Sequence, residues 1–317
     1  MQVPASRGRP RVIFVRGVTP RSGTNYLRDL LVLHPACRKA RAPIWEDFAL
    51  DAAVLLEEYV RRLAAKWPKG WAVPAEVGSD VLRALGDSLI VSLIGDDPDA
   101  TVVAKTPSVT GLDSFPRLFP DDRLVLLVRD GRDVVVSLER SFGWSFEHAL
   151  REWTRGAESI IRFRDANKAQ EGTRWQLVRY EDVLSDVASS IAALVSFTGL
   201  AEGLLDVEEA RRLPVRGSST FGSTEGGVHW RPTEQDATFN PVRRWGDWDL
   251  QRHARFNWVA GEAMQELGYE LMRDAKVSSG RLRNRAIDVQ ATLAAGGRAA
   301  RRRVRRVHPG LPASPWS

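Results

Sequence analysis

Four short apolar segments, each followed by a stretch of helical periodicity, constrain the fold of this chain more than any other feature. The segments occupy 12–15, 101–104, 124–128 and 175–178 and consist of β-branched or other apolar residues. Such short apolar runs are typical of strands buried on both faces of a parallel sheet. Helical patterns are predicted at 24–33, 48–66, 77–93, 133–140, 146–167, 183–198 and 250–267. The alternation predicts an α/β fold with a parallel sheet flanked by helices.

Composition indicates a globular, intracellular protein. With 317 residues and 43% hydrophobic composition, the chain can bury a large core. Cys37 is the single cysteine, which excludes an intramolecular disulfide and a thiolate metal site and favours a reducing, cytoplasmic location. We find no stretch near the roughly 18 apolar residues of a membrane span, and the first residues lack the apolar core of a signal peptide. We therefore expect a soluble protein with no membrane span.

The net charge of +6 is concentrated near the C-terminus, where six arginines occur between 298 and 306 without an acidic residue. We interpret this segment as a solvated tail, with binding to nucleic acid or to an anionic membrane as the alternative. We expect a flexible N-terminus at 1–10, one domain at 11–275, and a basic, proline-containing extension at 276–317. The segment 213–247, rich in Gly, Ser, Thr and Pro, has no clear period, so we expect a long loop there.

Cations follow all four predicted strands. Arg21 lies in the turn after the first strand, and the next three strands end at Lys105, Arg129 and Arg179. Because ligands of such sheets lie at the carboxyl ends of the strands, these side chains are expected to share one edge. The arrangement predicts an anionic ligand with more than one charged group.

The turn at 19–24 has the features of a phosphate-binding loop. Gly23 has no Cβ, so the backbone can approach an anion closely, and the amides of Gly23, Thr24 and Asn25 open a predicted helix. Arg21 supplies a full positive charge. A nucleotide-hydrolysing P-loop would place a lysine after the second glycine, and this chain has Thr24 there. A P-loop kinase of small molecules is therefore the less favoured enzyme class.

Two segments resemble the cofactor-binding motifs of sulfotransferases that use 3′-phosphoadenosine 5′-phosphosulfate (PAPS). Residues 20–25 are similar to the 5′-phosphosulfate loop of that family, and residues 129–137 to its 3′-phosphate segment, in which an Arg and a Ser eight positions apart hold the phosphate. The resemblance implies a P-loop-NTPase-like sulfotransferase fold over 11–275. It also implies cofactor contacts by Arg21, Ser22, Gly23, Thr24, Asn25, Arg129 and Ser137.

Further segments extend the resemblance to about residue 269. Residues 179–184 are similar to the family's Arg-Tyr-Glu-Asp turn, whose Tyr contacts the nucleotide, which implies the same role for Tyr180. Residues 242–248 resemble the C-terminal region that folds over the cofactor, although the family's Arg-Lys-Gly is replaced and differently spaced. Arg243 and Arg244 are the cations that could reach the 3′-phosphate from this region.

The resemblance also implies catalytic roles. A sulfuryl group carries one negative charge, so side-chain cations can replace a bridging metal ion, and we expect no metal requirement. Arg21 and Lys105 match the family's catalytic cations. Pro107 occupies the position where cytosolic members carry a His base. The branch with a similar loop uses a Glu instead, for which Glu46 is our candidate, with Asp47 or a histidine as the alternative.

These patterns predict an enzyme that transfers a sulfuryl group from PAPS to an acceptor hydroxyl or amine and releases 3′-phosphoadenosine 5′-phosphate (PAP). The expected partner is a small-molecule, carbohydrate or natural-product acceptor; the acceptor's identity and the oligomeric state stay open. The alternatives are a small-molecule kinase, a nucleic-acid-binding protein acting through the arginine-rich tail, and a catalytically inactive nucleotide-binding relative.

Overall fold

A five-stranded parallel sheet forms the centre of the molecule. The computed structural model describes residues 8–41, 46–68, 76–214, 216, 234, 240–272 and 281–289. The strands are β1 (Arg11–Gly17), β2 (Cys37–Lys39), β3 (Thr101–Thr106), β4 (Arg123–Val128) and β5 (Trp175–Arg179). They lie in the order β2-β3-β1-β4-β5, with every pair parallel. The predicted α/β class with a parallel sheet is confirmed.

Helices connect the strands and cover the sheet. They are α1 (Thr24–Val32), α2 (Ala53–Ala64), α3 (Val77–Leu89), α4 (Phe115–Leu118), α5 (Gly131–Phe142), α6 (Phe146–Ala166), α7 (Tyr180–Ser185), α8 (Val187–Thr198), α9 (Val207–Arg211) and α10 (Leu250–Glu266). A turn of π-helix at Ile90–Ile94 continues α3, and residues 281–289 are also helical. In the part of the chain that the structure describes, no helix has both the length and the apolar character needed to cross a bilayer.

The structure differs from the sequence prediction in several places. The helix predicted at 48–66 begins only at Ala53, because Phe48 has a left-handed backbone, and the short helices α4 and α9 were not predicted. The short edge strand β2 was not predicted, because two of its three residues are exposed and charged and give no apolar pattern. The single helix expected at 183–198 is divided into α7 and α8. Asp186 separates them with a non-helical backbone and caps α8, since its carboxylate accepts a hydrogen bond from the Ser189 amide at 3.0 Å.

Two apolar clusters, one on each face of the sheet, fix the position of β1. Phe14 lies in the cluster that includes residues of α5, α6 and α10, whereas Ile13 and Val15 lie in the cluster formed with α1 and α8. All three side chains are fully buried, as expected for the central strand of a sheet covered on both faces. The loop that follows β1 is therefore held on a rigid support.

The helical residues 281–289 are attached to the domain by ion pairs. Asp288 pairs with Arg151 of α6 at 2.6 Å and with Arg255 of α10 at 2.7 Å, and its carboxylate also accepts from the Trp258 indole. Although burial opposes the shift, these donors lower the Asp288 pKa to about 2. The predicted domain boundaries stay predictions. The arginine-rich tail and residues 1–7 lie outside the described residues, as does most of the long loop predicted at 213–247.

Candidate functional site

The carboxyl ends of four strands meet at one edge of the sheet. The parallel register pairs Arg16 of β1 with Thr106 of β3 and Gly17 with Leu127 of β4, and Val128 of β4 pairs with Arg179 of β5. The turn after β1 and the ends of β3, β4 and β5 therefore carry their cations at a common edge. This is the arrangement from which the anionic ligand was predicted.

The turn after β1 adopts a backbone that requires glycine. Gly23 has φ 96° and ψ 16°, in the left-handed region, and α1 begins at the next residue. A Cβ on Gly23 would lie 2.5 Å from Cδ2 of the Tyr180 ring, so this ring packs directly on the turn. No side chain caps the start of α1 in the described part of the chain. Its first amides are the kind of donors that bind anions at helix N-termini.

The other predicted residues of the turn have different environments. The Ser22 side chain is fully buried, and its hydroxyl donates to the Thr19 carbonyl at 2.6 Å and accepts from the Thr19 amide at 3.2 Å. Its hydroxyl is thus engaged within the turn. Thr24 is buried, whereas Asn25 is half-buried.

Four of the predicted cofactor residues are brought into contact around this turn. The Nε of Arg21 donates to the Ser137 hydroxyl at 3.0 Å, and Nη1 of Arg129 donates to the Arg21 carbonyl at 2.8 Å. The Arg129 guanidinium also lies 4.8 Å from the centre of the Tyr180 ring. Residues separated by more than a hundred positions in the sequence therefore form one cluster.

Arg21, Arg129 and Arg244 form a concentrated positive charge, which we call the arginine cluster. Burial and the charges of Arg129 and Arg244 lower the Arg21 pKa to about 10. Burial and the charge of Arg129 likewise lower the Arg244 pKa to about 10. Because nearby like charges disfavour one another, a polyanion placed among these side chains would relieve the repulsion.

Asp133 attaches the segment that carries Arg244. Its carboxylate accepts hydrogen bonds from the Arg244 amide at 2.6 Å and from the Arg243 amide at 3.0 Å. Burial raises the Asp133 pKa to about 6, although the Arg129 charge and these amides oppose the shift. The Arg243 side chain itself is exposed, and its backbone has φ 57°. Asp133 therefore determines where the two predicted arginines lie.

Lys105 at the end of β3 is buried and paired with Glu46. The distance from Nζ to Oε1 of Glu46 is 2.9 Å, with 4% of the lysine side chain and 28% of the glutamate side chain exposed. Burial lowers the Lys105 pKa, and the nearby charge of Arg28 lowers it further. The Glu46 carboxylate opposes this shift. The structure therefore places two of the predicted catalytic residues in direct contact, one of them open to solvent.

Asp47, the alternative to Glu46, is occupied by structural contacts. Arg16 donates to both of its carboxylate oxygens, at 2.9 and 2.5 Å, in a pair that is almost fully buried. The Thr106 hydroxyl and the Ala49 amide donate to the same carboxylate at 3.1 and 3.0 Å. Burial alone would raise the Asp47 pKa, but the Arg16 charge and these donors hold it below its usual range. Both carboxylate oxygens of Asp47 are thus engaged within the fold, whereas the Glu46 side chain is 28% exposed.

The histidines of the described residues lie in structural or surface positions. His34 is buried and bonded through both ring nitrogens to main-chain groups, at 3.0 and 3.2 Å. His253 is buried between two tryptophan rings, whereas His148 is exposed. His229 lies outside the described residues. None of these contacts connects a histidine to the pair of Lys105 and Glu46.

A comparison with protein families identifies the chain. The model of the Sulfotransferase family matches residues 10–202, which is more than half of the 317-residue sequence. The chain belongs to the sulfotransferase family. The predicted family resemblance and fold are thereby confirmed, whereas the roles of individual residues stay predictions.

Several solved structures are similar to this sulfotransferase. The sulfotransferase domain from the curacin biosynthetic pathway is 16% identical with a TM-score of 0.47, and the similarity covers 83% of this chain and 99% of that domain. Mouse sulfotransferase SULT7A1 complexed with PAP is 10% identical with a TM-score of 0.45, covering 82% and 85%. Sulfotransferase STF9 from Mycobacterium avium is 14% identical with a TM-score of 0.40, covering 65% and 68%.

Three charged residues near the candidate site were not predicted from the sequence. Arg16 and Arg28 are buried cations, one binding Asp47 and the other contributing to the Lys105 pKa, and Asp133 attaches the Arg244 segment. For Arg16, the available signal in the sequence was a charged residue directly after a strongly apolar run. Asp133 has no distinctive pattern, since an acidic residue in the first turn of a helix is common.

We expect Gly23→Ala to lower both stability and anion binding. The added methyl group would collide with the Tyr180 ring, and alanine disfavours a φ of 96°. Either the ring or the turn must move, which displaces the amides at the start of α1. A loss of about 1–3 kcal/mol in the free energy of unfolding, measured in urea, is expected from strain of this kind. Gly143→Ala is the control, since Gly143 also has a positive φ but no neighbouring atom within 4 Å of the added methyl group.

Proposed function

We propose that this sulfotransferase transfers a sulfuryl group from PAPS to an acceptor hydroxyl and releases PAP. The observation that carries the proposal is the arginine cluster, formed by Arg21, Arg129 and Arg244 beside the glycine turn. Three buried or half-buried cations at a helix N-terminus suit a ligand with phosphate and sulfate groups at two separate positions. Family membership supplies the reaction class.

Arg129 and Ser137 would bind the 3′-phosphate. The Nε atom of Arg129 is buried without a hydrogen-bond partner among the described residues, so it is a donor available for an anion. The Ser137 hydroxyl already accepts from Arg21 and can donate its own proton to a phosphate oxygen. Arg244, held by Asp133, would add a third charge, and Arg243 would contribute from the solvent side.

The turn after β1 would bind the 5′-phosphosulfate. The amides of Gly23, Thr24 and Asn25 open α1, and the backbone of Ser22 precedes them. Tyr180 packs on Gly23 and against the Arg129 guanidinium, where its ring would contact the nucleotide. These hydrogen-bond donors therefore suit a nucleotide that has one anionic group at its 3′ position and another at its 5′ position.

Lys105, Arg21 and Glu46 would carry the chemistry. PAPS, when bound, supplies the sulfuryl group and the phosphate leaving group. Glu46 would accept the proton of the acceptor hydroxyl while the oxygen of that hydroxyl forms the new bond to sulfur. Arg21 and Lys105 would stabilise the charge that develops as the bond between sulfur and the phosphate oxygen breaks. Lys105 Nζ lies 2.9 Å from Glu46 Oε1, which supports the proposal that the cation and the base act at the same place, where the sulfuryl group is transferred.

The competing functions have less support. A small-molecule kinase is disfavoured by the family match and by Thr24 in place of the P-loop lysine. Nucleic-acid binding depends on the arginine-rich tail, which lies outside the described residues. Within the described residues, no group of three His, Cys, Asp or Glu side chains is placed to hold a metal ion. Independence from metal remains a prediction for the assay.

Calorimetric titration with PAP tests the proposed cofactor without knowledge of the acceptor. We expect PAP to bind the wild type more tightly than ATP with Mg²⁺ does. Arg129→Ala should weaken PAP binding about 10- to 100-fold, because a charge-assisted hydrogen bond contributes about 1.5–3 kcal/mol. The control is Arg155→Ala, which removes an exposed arginine of α6 and should leave PAP affinity unchanged. Preference for ATP, no binding of PAP, or equal PAP affinity in Arg129→Ala would contradict the proposal.

A further inference from the structure

Phe48 has a backbone conformation that bulky residues rarely adopt. Its φ is 47°, in the left-handed region that favours glycine and asparagine. An aromatic residue in this region is strained, and such strain persists where the surrounding structure enforces it. Phe48 follows directly after the Glu46-Asp47 pair, so the strain lies beside the proposed reaction centre.

Contacts on both sides hold this backbone in place. Asp47 is fixed by Arg16 and by the Thr106 hydroxyl, as described above. The same Thr106 hydroxyl accepts a hydrogen bond from the Phe48 amide at 3.2 Å, and the Phe48 carbonyl accepts from the Asp51 amide at 3.0 Å. These bonds attach the Phe48 backbone to the end of β3, the strand that also carries Lys105.

Burial of the ring does not explain the strain. Phe48 is 52% exposed, so the side chain gains little from leaving water. The same segment continues into α2 with Val54 and Leu55, which are 64% and 66% exposed. Apolar side chains therefore follow one another along the chain from the proposed base. Exposed apolar side chains grouped along one segment are typical of a binding surface.

We propose that Phe48 is an acceptor-binding residue, whose ring supports the apolar body of the acceptor while the acceptor's hydroxyl reaches Glu46. The inference rests on the proposed function and specifies it further: the acceptor is an aromatic or apolar alcohol rather than a sugar. The side chains of Phe48, Val54 and Leu55 offer no hydrogen-bonding group that would recognise the hydroxyls of a carbohydrate. The strain at Phe48 is retained because it presents the ring to the acceptor.

The variant Phe48→Asn separates this role from a structural one. Asparagine tolerates the left-handed region, so the variant relieves strain while removing the ring. We expect its melting temperature to be equal to or above that of the wild type and its PAP affinity to be unchanged. Binding of 2-naphthol to the PAP-saturated protein should weaken at least about tenfold, the lower range for loss of a buried aromatic contact. Phe48→Trp should retain 2-naphthol binding.

The control is Phe142→Ala, which removes another exposed phenylalanine at the end of α5. It should bind 2-naphthol as the wild type does. PAP titration, performed first, tests the proposed function alone, and its failure would overturn both proposals. If PAP binds but 2-naphthol binds equally to the wild type and Phe48→Asn, the proposal for Phe48 is overturned and the proposed function stands. Wild-type binding of 2-naphthol no tighter than that of N-acetylglucosamine would also overturn it.

Discussion

Replacing Lys105 with methionine is expected to lower kcat for PAP formation from PAPS about 10²- to 10³-fold, as loss of one preorganised electrostatic donor typically does. Methionine has a similar unbranched stem, so it can fill the buried position at the end of β3. What it removes is the charge that would stabilise the leaving group. Because the arginine cluster is intact in this variant, PAP affinity should change little.

The measurement is the rate at which PAP appears from PAPS, with 4-nitrophenol and 2-naphthol as trial acceptors. PAP formation counts transfer to water as well as to the acceptor, so the comparison does not require the natural substrate. Lys168→Met is a matched control, because Lys168 is exposed and comes before β5 begins, whereas Lys105 lies at the carboxyl end of its strand. An unchanged kcat, or a loss of PAP affinity as large as the loss of kcat, would assign Lys105 to binding or structure instead.

Asp47→Ala is expected to destabilise the fold by about 3–5 kcal/mol, the cost of leaving a buried charge without its partner. Arg16 is almost completely buried on the central strand and donates to both oxygens of this carboxylate. Removing the carboxylate leaves the guanidinium uncompensated and also frees the Thr106 hydroxyl. Urea unfolding, followed by tryptophan fluorescence, measures the change.

A second variant distinguishes the buried charge from a loss of packing. In Asp47→Ala with Arg16→Met, no unpaired charge remains, so the double variant should be more stable than Asp47→Ala alone. Glu46→Gln provides the functional counterpart, because it keeps a hydrogen-bond acceptor near Lys105 while removing the proposed base. We expect it to lose activity with little loss of stability. A double variant no more stable than the single one would show that the ion pair is not the reason for the destabilisation.

Much of the fold could be predicted from local pattern. The four strands with strongly apolar sequences and the long helices were found because burial on both faces of the sheet imposes a continuous apolar run. The edge strand Cys37–Lys39 escaped detection, since only Cys37 of its three residues is buried. The break at Asp186 was missed for a related reason: a capping carboxylate and an exposed helical carboxylate look alike before the backbone is known.

The site was predictable to the extent that it follows from topology. Once the strands were taken as parallel, their cationic ends had to share an edge, and Lys105 and Arg129 followed from that rule. Ser137 was found through the family resemblance. Asp133 and Arg16 could not be assigned roles, because their partners lie about 110 and 31 positions away and are set by tertiary packing. The strain at Phe48 is likewise a property of the folded backbone.

The attachment of Arg244 to Asp133 has a consequence for the order of synthesis. Arg21 and Arg129 are made early, but Arg244 lies in the last third of the chain and reaches them only when its backbone amide bonds the carboxylate on α5. A chain that ended before this segment would lack one cation of the arginine cluster and also α10, which packs in the core cluster that contains Phe14. We therefore expect full affinity for the proposed nucleotide only after the segment that carries Arg244 has been made and has bonded to Asp133.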